Sequence, residues 1–200
     1  MLILASGSAR RHEILDLFDV PYVIKESMID EVIYPGETPT AAVERLATAK
    51  GTSVLSAHPG STVLSADTVV GADDRILGKP VDGDDARSML EFLSDRLHTV
   101  YTGIALQRSD GQCLAAVAEA RVRFRRLDSA TINAYVATGE PFGKAGAYAV
   151  QGLGGSLVDQ VDGELSTVVG LTITVTSEFL TAFGIHHALN PGEQSEGGNT

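Results

Sequence analysis

Two hundred residues with 44% hydrophobic content suffice for one large domain or two small lobes around a sizeable core. A formal net charge of −11 excludes tracking along the backbone of a nucleic acid polymer, yet permits a small anionic ligand where a few basic residues converge. The single cysteine, Cys113, excludes an internal disulfide and points to a reducing, cytoplasmic setting; no stretch approaches the ~18 apolar residues of a membrane span, and the N-terminal apolar run is too short for a signal peptide.

Leu2 to Ala5 reads as a short buried strand, and Ser6-Gly7-Ser8 as a tight turn. Arg10 and Arg11 then open a helix that carries Ile14, Leu15, Leu17 and Phe18. Strand, small-residue turn and helix start together gather an anion, because free N–H groups and about half a positive charge of helix dipole point the same way. Gly7 would let the backbone approach a ligand. The glycine spacing and the Lys-Ser/Thr of a Walker A loop are missing.

Pro21 to Ile24 reads as a strand, followed by a loop with Asp30-Glu31. Thr38 and Pro39 suit the N-cap and first position of a helix that runs to Lys50, with Gly51 as its stop. Ser61 to Val70 is a strong strand with Asp67 inside it. A turn leads to Ile76-Leu77 and then Gly78-Lys79-Pro80. Asp84 to Leu93 has one apolar face and reads as a helix. His98–Gln107 and Gln112–Arg125 read as a hairpin over Ser109-Asp110-Gly111, and Asp128 caps a helix that ends near Thr138. A glycine-rich stretch follows from Gly143 to Gly155. Ser156–Val161 and Glu164–Val168 suggest a second hairpin over Asp162-Gly163, and a last helix spans about Thr172 to Phe183. Residues 1–186 then form one domain, and 187–200 a polar, disordered tail. Hairpins mixed with crossover helices argue an α/β fold with a long, mixed, strongly twisted sheet and flanking helices.

Asp67 carries the clearest chemistry. A carboxylate among apolar strand residues needs a partner, a metal ion or a proton to transfer. Glu31 or Asp30 could supply a second carboxylate. Lys50 sits where a helix dipole would favour it, whereas Lys79 sits in a rigid Gly-Lys-Pro segment. Gln151 offers both a donor and an acceptor, which suits reading a base edge, and Lys144 and Tyr148 share its stretch. The five histidines show no zinc-ligand spacing, and a serine triad built on Ser6 or Ser8 has no support in the sequence.

Eight stretches in order resemble the Maf family of nucleotide pyrophosphatases: L-A-S-G-S-A-R-R (4–11), D-E (30–31), E-R-L-A-T-A-K (44–50), S-A-D-T-V-V (65–70), G-K-P (78–80), Y-T-G (101–103), K-A-G-A-Y-A-V-Q-G-L-G-G (144–155) and V-V-G-L (168–171). The resemblance implies a fold related to inosine triphosphate pyrophosphatases, with a cleft between two lobes. It implies Asp67, Lys50 and Lys79 as catalytic residues. Ser8, Arg10, Arg11, Thr68 and Gln151 would bind substrate. Glu31 and Asp67 would hold a divalent cation, Mg²⁺ or Mn²⁺. The partner would be a nucleoside triphosphate, and a homodimer is implied by resemblance alone.

The A-G-A-Y-x-x-Q-G stretch, matched from Ala145 to Gly152, is similar to the branch acting on dTTP and UTP. Gly143 departs from that pattern, where an Asp is usual, and so does Thr172, where Pro often follows V-V-G-L. The implied reaction is hydrolysis at the α-phosphorus to a monophosphate and pyrophosphate, with Asp67 as metal ligand or general base. Because the family is also linked to arrest of cell division, a nucleotide-binding regulator without catalysis is the alternative. A binding module would not need Asp67, Glu31 and both lysines together, which favours the enzyme.

Overall fold

The computed structural model describes residues 1–190. Its centre is β3 (Thr62–Ala72), whose β-branched and small residues are almost all buried on both faces. β1 (Leu2–Leu4) lies parallel to β3, and β2 (Tyr22–Ile24) lies parallel to β1. On the other side β5 (Leu97–Arg108), β6 (Cys113–Phe124) and β7 (Val158–Asp162) follow in antiparallel order. The short β4 (Arg75–Leu77) folds back on the end of β3 and completes a seven-stranded mixed sheet. The α/β class, the mixed sheet and the long β5–β6 hairpin agree with the sequence expectation.

Alternation along β3 sorts its side chains onto two faces. One face meets α2 (Pro39–Ala57), where Ser65 donates to the carbonyl of Ala47 at 2.7 Å. The other face carries two apolar clusters. Leu64 and Ala66 pack beneath α1 (Ala9–Asp16) and α6 (Ile173–Ala182), with Leu15, Phe18, Ile104 and Leu180. Val70 and Ala72 pack beneath α3 (Gly83–Leu93) and α4 (Ser129–Ala137), with Leu90, Leu93, Val100 and Phe124. Thr68 lies between the clusters. It bonds Thr102 at 2.9 Å, Thr102 donates to the carbonyl of Thr167 at 2.8 Å, and Thr167 meets Thr172 at 3.0 Å. A buried hydroxyl seam thus separates two apolar lobes, and each member has a partner, as burial demands.

Two boundaries differ from the sequence reading. The glycine at 51 does not end α2, which continues to Ala57 and buries Val54. Gly51 faces β5 instead, where an added Cβ would meet the Gln107 amide and the Ser65 hydroxyl, so it is there for close packing. Lys50 is therefore a mid-helix residue, and the helix-dipole account of it fails. The second hairpin is also absent. Asp162-Gly163 ends β7, but the chain then leaves the sheet as α5 (Leu165–Val169). The cause is Glu164, whose carboxylate accepts the N–H groups of Ile173 at 2.7 Å and Thr174 at 3.3 Å and so caps α6. That capping draws 165–169 into a helical turn closed by Gly170, which has the left-handed φ of 116° that glycine favours.

Of the segment expected as a tail from 187, residues 191–200 lie outside the described residues. His187 is buried edge-on against Phe18, and the N–H of Ala188 donates to the Phe18 carbonyl at 2.8 Å. No helix among the described residues is long and apolar enough to cross a membrane.

Candidate active site

The lobes and the central strands of the sheet enclose a cleft of about 550 Å³. All nine residues singled out from the sequence line it: Ser8 from the β1–α1 turn, Arg10 and Arg11 from the first turn of α1, Glu31 from the loop after β2, Lys50 from α2, Asp67 and Thr68 from β3, Lys79 from the segment after β4, and Gln151 from the glycine-rich stretch. Asp30 does not line it. Residues up to 143 positions apart in the chain (Gln151 minus Ser8) thus share one space.

At its floor the Lys50 ammonium lies 2.5 Å from Asp67 Oδ1 and 2.7 Å from Glu31 Oε1, and Lys79 Nζ lies 2.6 Å from Glu31 Oε2. The four charges alternate in a chain, Asp67–Lys50–Glu31–Lys79. Its inner end is buried, with side-chain exposures of 6% and 7% for Lys50 and Asp67, and its outer end is open, with 55% for Lys79. Burial would push the Glu31 carboxyl up, but hydrogen bonds from Lys50 and Lys79 outweigh it and hold the group at about 2. Glu31 is therefore an anion across the physiological range and cannot itself exchange a proton there.

Arg11 approaches Asp67 from the opposite face of β3. Its guanidinium donates from Nε to the Gly170 carbonyl at 2.8 Å, from Nη1 to Ser6 at 3.2 Å and from Nη2 to Thr68 at 3.2 Å. Burial lowers its proton affinity and the Asp67 charge raises it. Three anchors from three elements fix the plane of this cation, which a flexible ammonium could not reproduce. The Ser6-Gly7-Ser8 turn is held by His12, whose ring contacts the Ser6 carbonyl at 2.8 Å. The space over Gly7 is taken by the Glu26 carboxylate, 2.5 Å from where a Cβ would stand, so the close approach expected there is made by a protein side chain.

The opposite wall is the glycine-rich lip, built from 3-10 turns at Ala145–Ala147 and Leu153–Leu157. Two residues that the sequence reading passed over pin it. Tyr135 accepts from Ala149 N–H at 3.1 Å and donates to Glu140 at 2.9 Å, and Glu140 accepts from the N–H groups of Leu153 at 3.0 Å and Gly154 at 2.8 Å. Tyr135 sits on the apolar face of α4 and reads as core, and no local pattern marks Glu140. Gly103 was also undervalued. It pairs with Asp67 across β3–β5, and an added Cβ would strike the backbone of Val43 and Glu44. Its lack of a side chain lets α2 sit close over the strand that carries Asp67.

A family model described as Maf-like protein matches residues 1–183. This chain belongs to the Maf family. A dTTP/UTP pyrophosphatase of Myxococcus xanthus is 45% identical over 92% of this chain and 93% of its own length. A dTTP/UTP pyrophosphatase of Moorella thermoacetica is 46% identical over 92% and 95%. Among solved structures, the Staphylococcus aureus Ham1 protein superposes with a TM-score of 0.54 at 13% identity, covering 91% of this chain and 98% of that one, a likeness of fold. The two positions that depart from the usual Maf pattern have clear local roles. Gly143 adopts φ of 73°, with open space where a Cβ would stand, and Thr172 occupies the N-cap position of α6 while its hydroxyl, rather than capping the helix, bonds that of Thr167 in the seam.

Proposed function

We propose that this Maf protein hydrolyses nucleoside triphosphates, dTTP and UTP foremost, to the monophosphate and pyrophosphate. The observation that carries the reading is the Asp67–Lys50–Glu31–Lys79 chain with Arg11 above it, because it joins carboxylates to convergent cations. A triphosphate brings several negative charges, and cleavage at the α-phosphorus places more on the departing pyrophosphate. Arg11, Lys50 and Lys79 are fixed where such charge is stabilised without reorganisation. Asp67, hydrogen-bonded through Oδ1 only, has its second oxygen available to orient an attacking water or take its proton. Ser8 and Thr68 add hydroxyls along the phosphate path.

A divalent cation fits this donor set. Asp67 and Glu31 both line the cleft and both reach Lys50, both are hard oxygen donors, and no thiolate or imidazole lines the cleft beside them. No cluster of three or more such side chains occurs among the described residues, so phosphate oxygens and water would complete the shell of Mg²⁺ or Mn²⁺. When bound, such an ion supplies charge neutralisation and a more acidic water. The lip carries the base preference. Its backbone and the Gln151 amide can meet the carbonyl–N–H–carbonyl edge shared by thymine and uracil, and the small residues bring that backbone close. The protein works in this reading as a cytoplasmic enzyme.

The test is product analysis with a panel of triphosphates and Mg²⁺. Monophosphate with pyrophosphate is expected, fastest from dTTP and UTP. Diphosphate with phosphate would overturn the reaction, and a purine triphosphate leading by about tenfold in kcat/KM, ~1.4 kcal/mol, would overturn the base assignment alone.

A further inference from the structure

The cleft holds two cations that the catalytic chain does not use. Arg10, adjacent to the α1 start, and Lys144, at the root of the lip, both line it and both are half-buried. Neither enters any of the ion pairs formed among the described residues. The buried Nε of Arg10 has no hydrogen-bond partner, and the Lys144 ammonium meets only the Phe142 carbonyl, at 3.2 Å. The acids nearby do not answer them. Glu140 is committed to Tyr135, Leu153 and Gly154, and Glu13 is exposed to solvent. The two cations also feel one another: burial and then the Arg10 charge weaken the hold of Lys144 on its proton.

In a chain with a net charge of −11, leaving two unpaired, half-buried cations in one cleft is costly unless an anion joins them. A pyrimidine base is neutral and relieves nothing. The fitting ligand group is a phosphate, and the cations of the floor already serve the reacting end. We propose that Lys144 and Arg10 together clamp the terminal phosphates of the substrate, so that Lys144 is a further binding residue for the pyrophosphate half. This rests on the pyrophosphatase reading for the identity of the substrate, but the clamp itself can be tested without turnover.

Inorganic pyrophosphate and UMP are titrated separately into the full chain by calorimetry, with EDTA present. Lys144→Met should weaken pyrophosphate binding about tenfold and leave UMP within twofold, and Lys144→Arg should restore most of the loss. Arg10→Met with Lys144→Met should lose less than the sum of the two single effects in log Kd. An unchanged pyrophosphate Kd in Lys144→Met overturns the clamp, as does a loss that falls on UMP instead. A thermal melt of each variant separates binding from misfolding, and Lys144→Gln, with the same expected loss for pyrophosphate and none for UMP, carries the test if the Met variant unfolds. If the wild type fails to release pyrophosphate from UTP, the proposed function falls, whereas the clamp is judged by the pyrophosphate titration.

Discussion

Asp67 and Lys79 show how position along the ion-pair chain decides what a side chain does. Asp67 is buried against Lys50, so Asp67→Asn should preserve the fold, keeping shape and one hydrogen bond, while kcat falls by about a hundredfold or more. Steady-state kinetics beside a thermal melt would check this, and near-normal turnover would remove Asp67 from the chemistry. The two lysines should then part company. Lys50→Ala leaves Asp67 as a buried, uncompensated charge and should cost both activity and about 3 kcal/mol of stability. Lys79→Ala removes an exposed partner from a solvated pair and should lower kcat/KM with little change in melting temperature. Equal losses of stability would show that burial does not grade the chain as described.

At the level of elements, the site depends on how closely α2 lies on the sheet. Lys50 reaches Asp67 because Gly103 admits the α2 backbone at Val43 and Glu44. Gly103→Ala gains strand propensity, yet its Cβ meets backbone atoms that cannot step aside, so overpacking should cost about 1–3 kcal/mol. Moving α2 off the sheet also carries Lys50 away from Asp67, and turnover should fall about tenfold or more. Retained melting temperature and activity together would show that α2 tolerates the shift. The Y-T-G motif was visible in the sequence, but its reason was not, since the close approach joins residues 60 positions apart (103 minus 43). The same limit explains the misread hairpin. Ser166 to Val169 has the β-branched composition of a strand, and only the distant claim of Ile173 and Thr174 on the Glu164 carboxylate turns it into helix.

Across the whole molecule, the two lobes meet at a hydroxyl seam on one face of β3, and the cleft opens above it. Much of this was legible in the sequence: the anion-gathering turn, Asp67 within its strand, and the Thr38 and Asp128 caps depend on neighbours in the chain. The pairing of Lys50 with two carboxylates, the Tyr135–Glu140 support of the lip and the burial of His98 depend on contacts across the fold, which periodicity does not encode. His98 gives this architecture a signature in pH. It is 2% exposed, edge-on to Phe124 and Tyr148, with Nε2 3.0 Å from the Tyr148 hydroxyl. Burial pushes its imidazole down to about 4. The unfolded chain takes up a proton near pH 6.5, while the native protein refuses it until about pH 4, so the contribution is full above the higher value and drains away as pH falls between them. Stability from denaturant melts should drop by roughly 1.5 kcal/mol from pH 6.5 to pH 5 for this group alone. Glu31 titrates lower, its contribution being lost only as pH falls from about 4.5 towards 2, so the upper window belongs to His98. His98→Phe, which keeps an aromatic ring there, should flatten the slope between pH 6.5 and 5 even if it is less stable at pH 7. An equal slope in wild type and variant would mean that the imidazole accepts its proton inside the fold, and that the core of the second lobe is open to water.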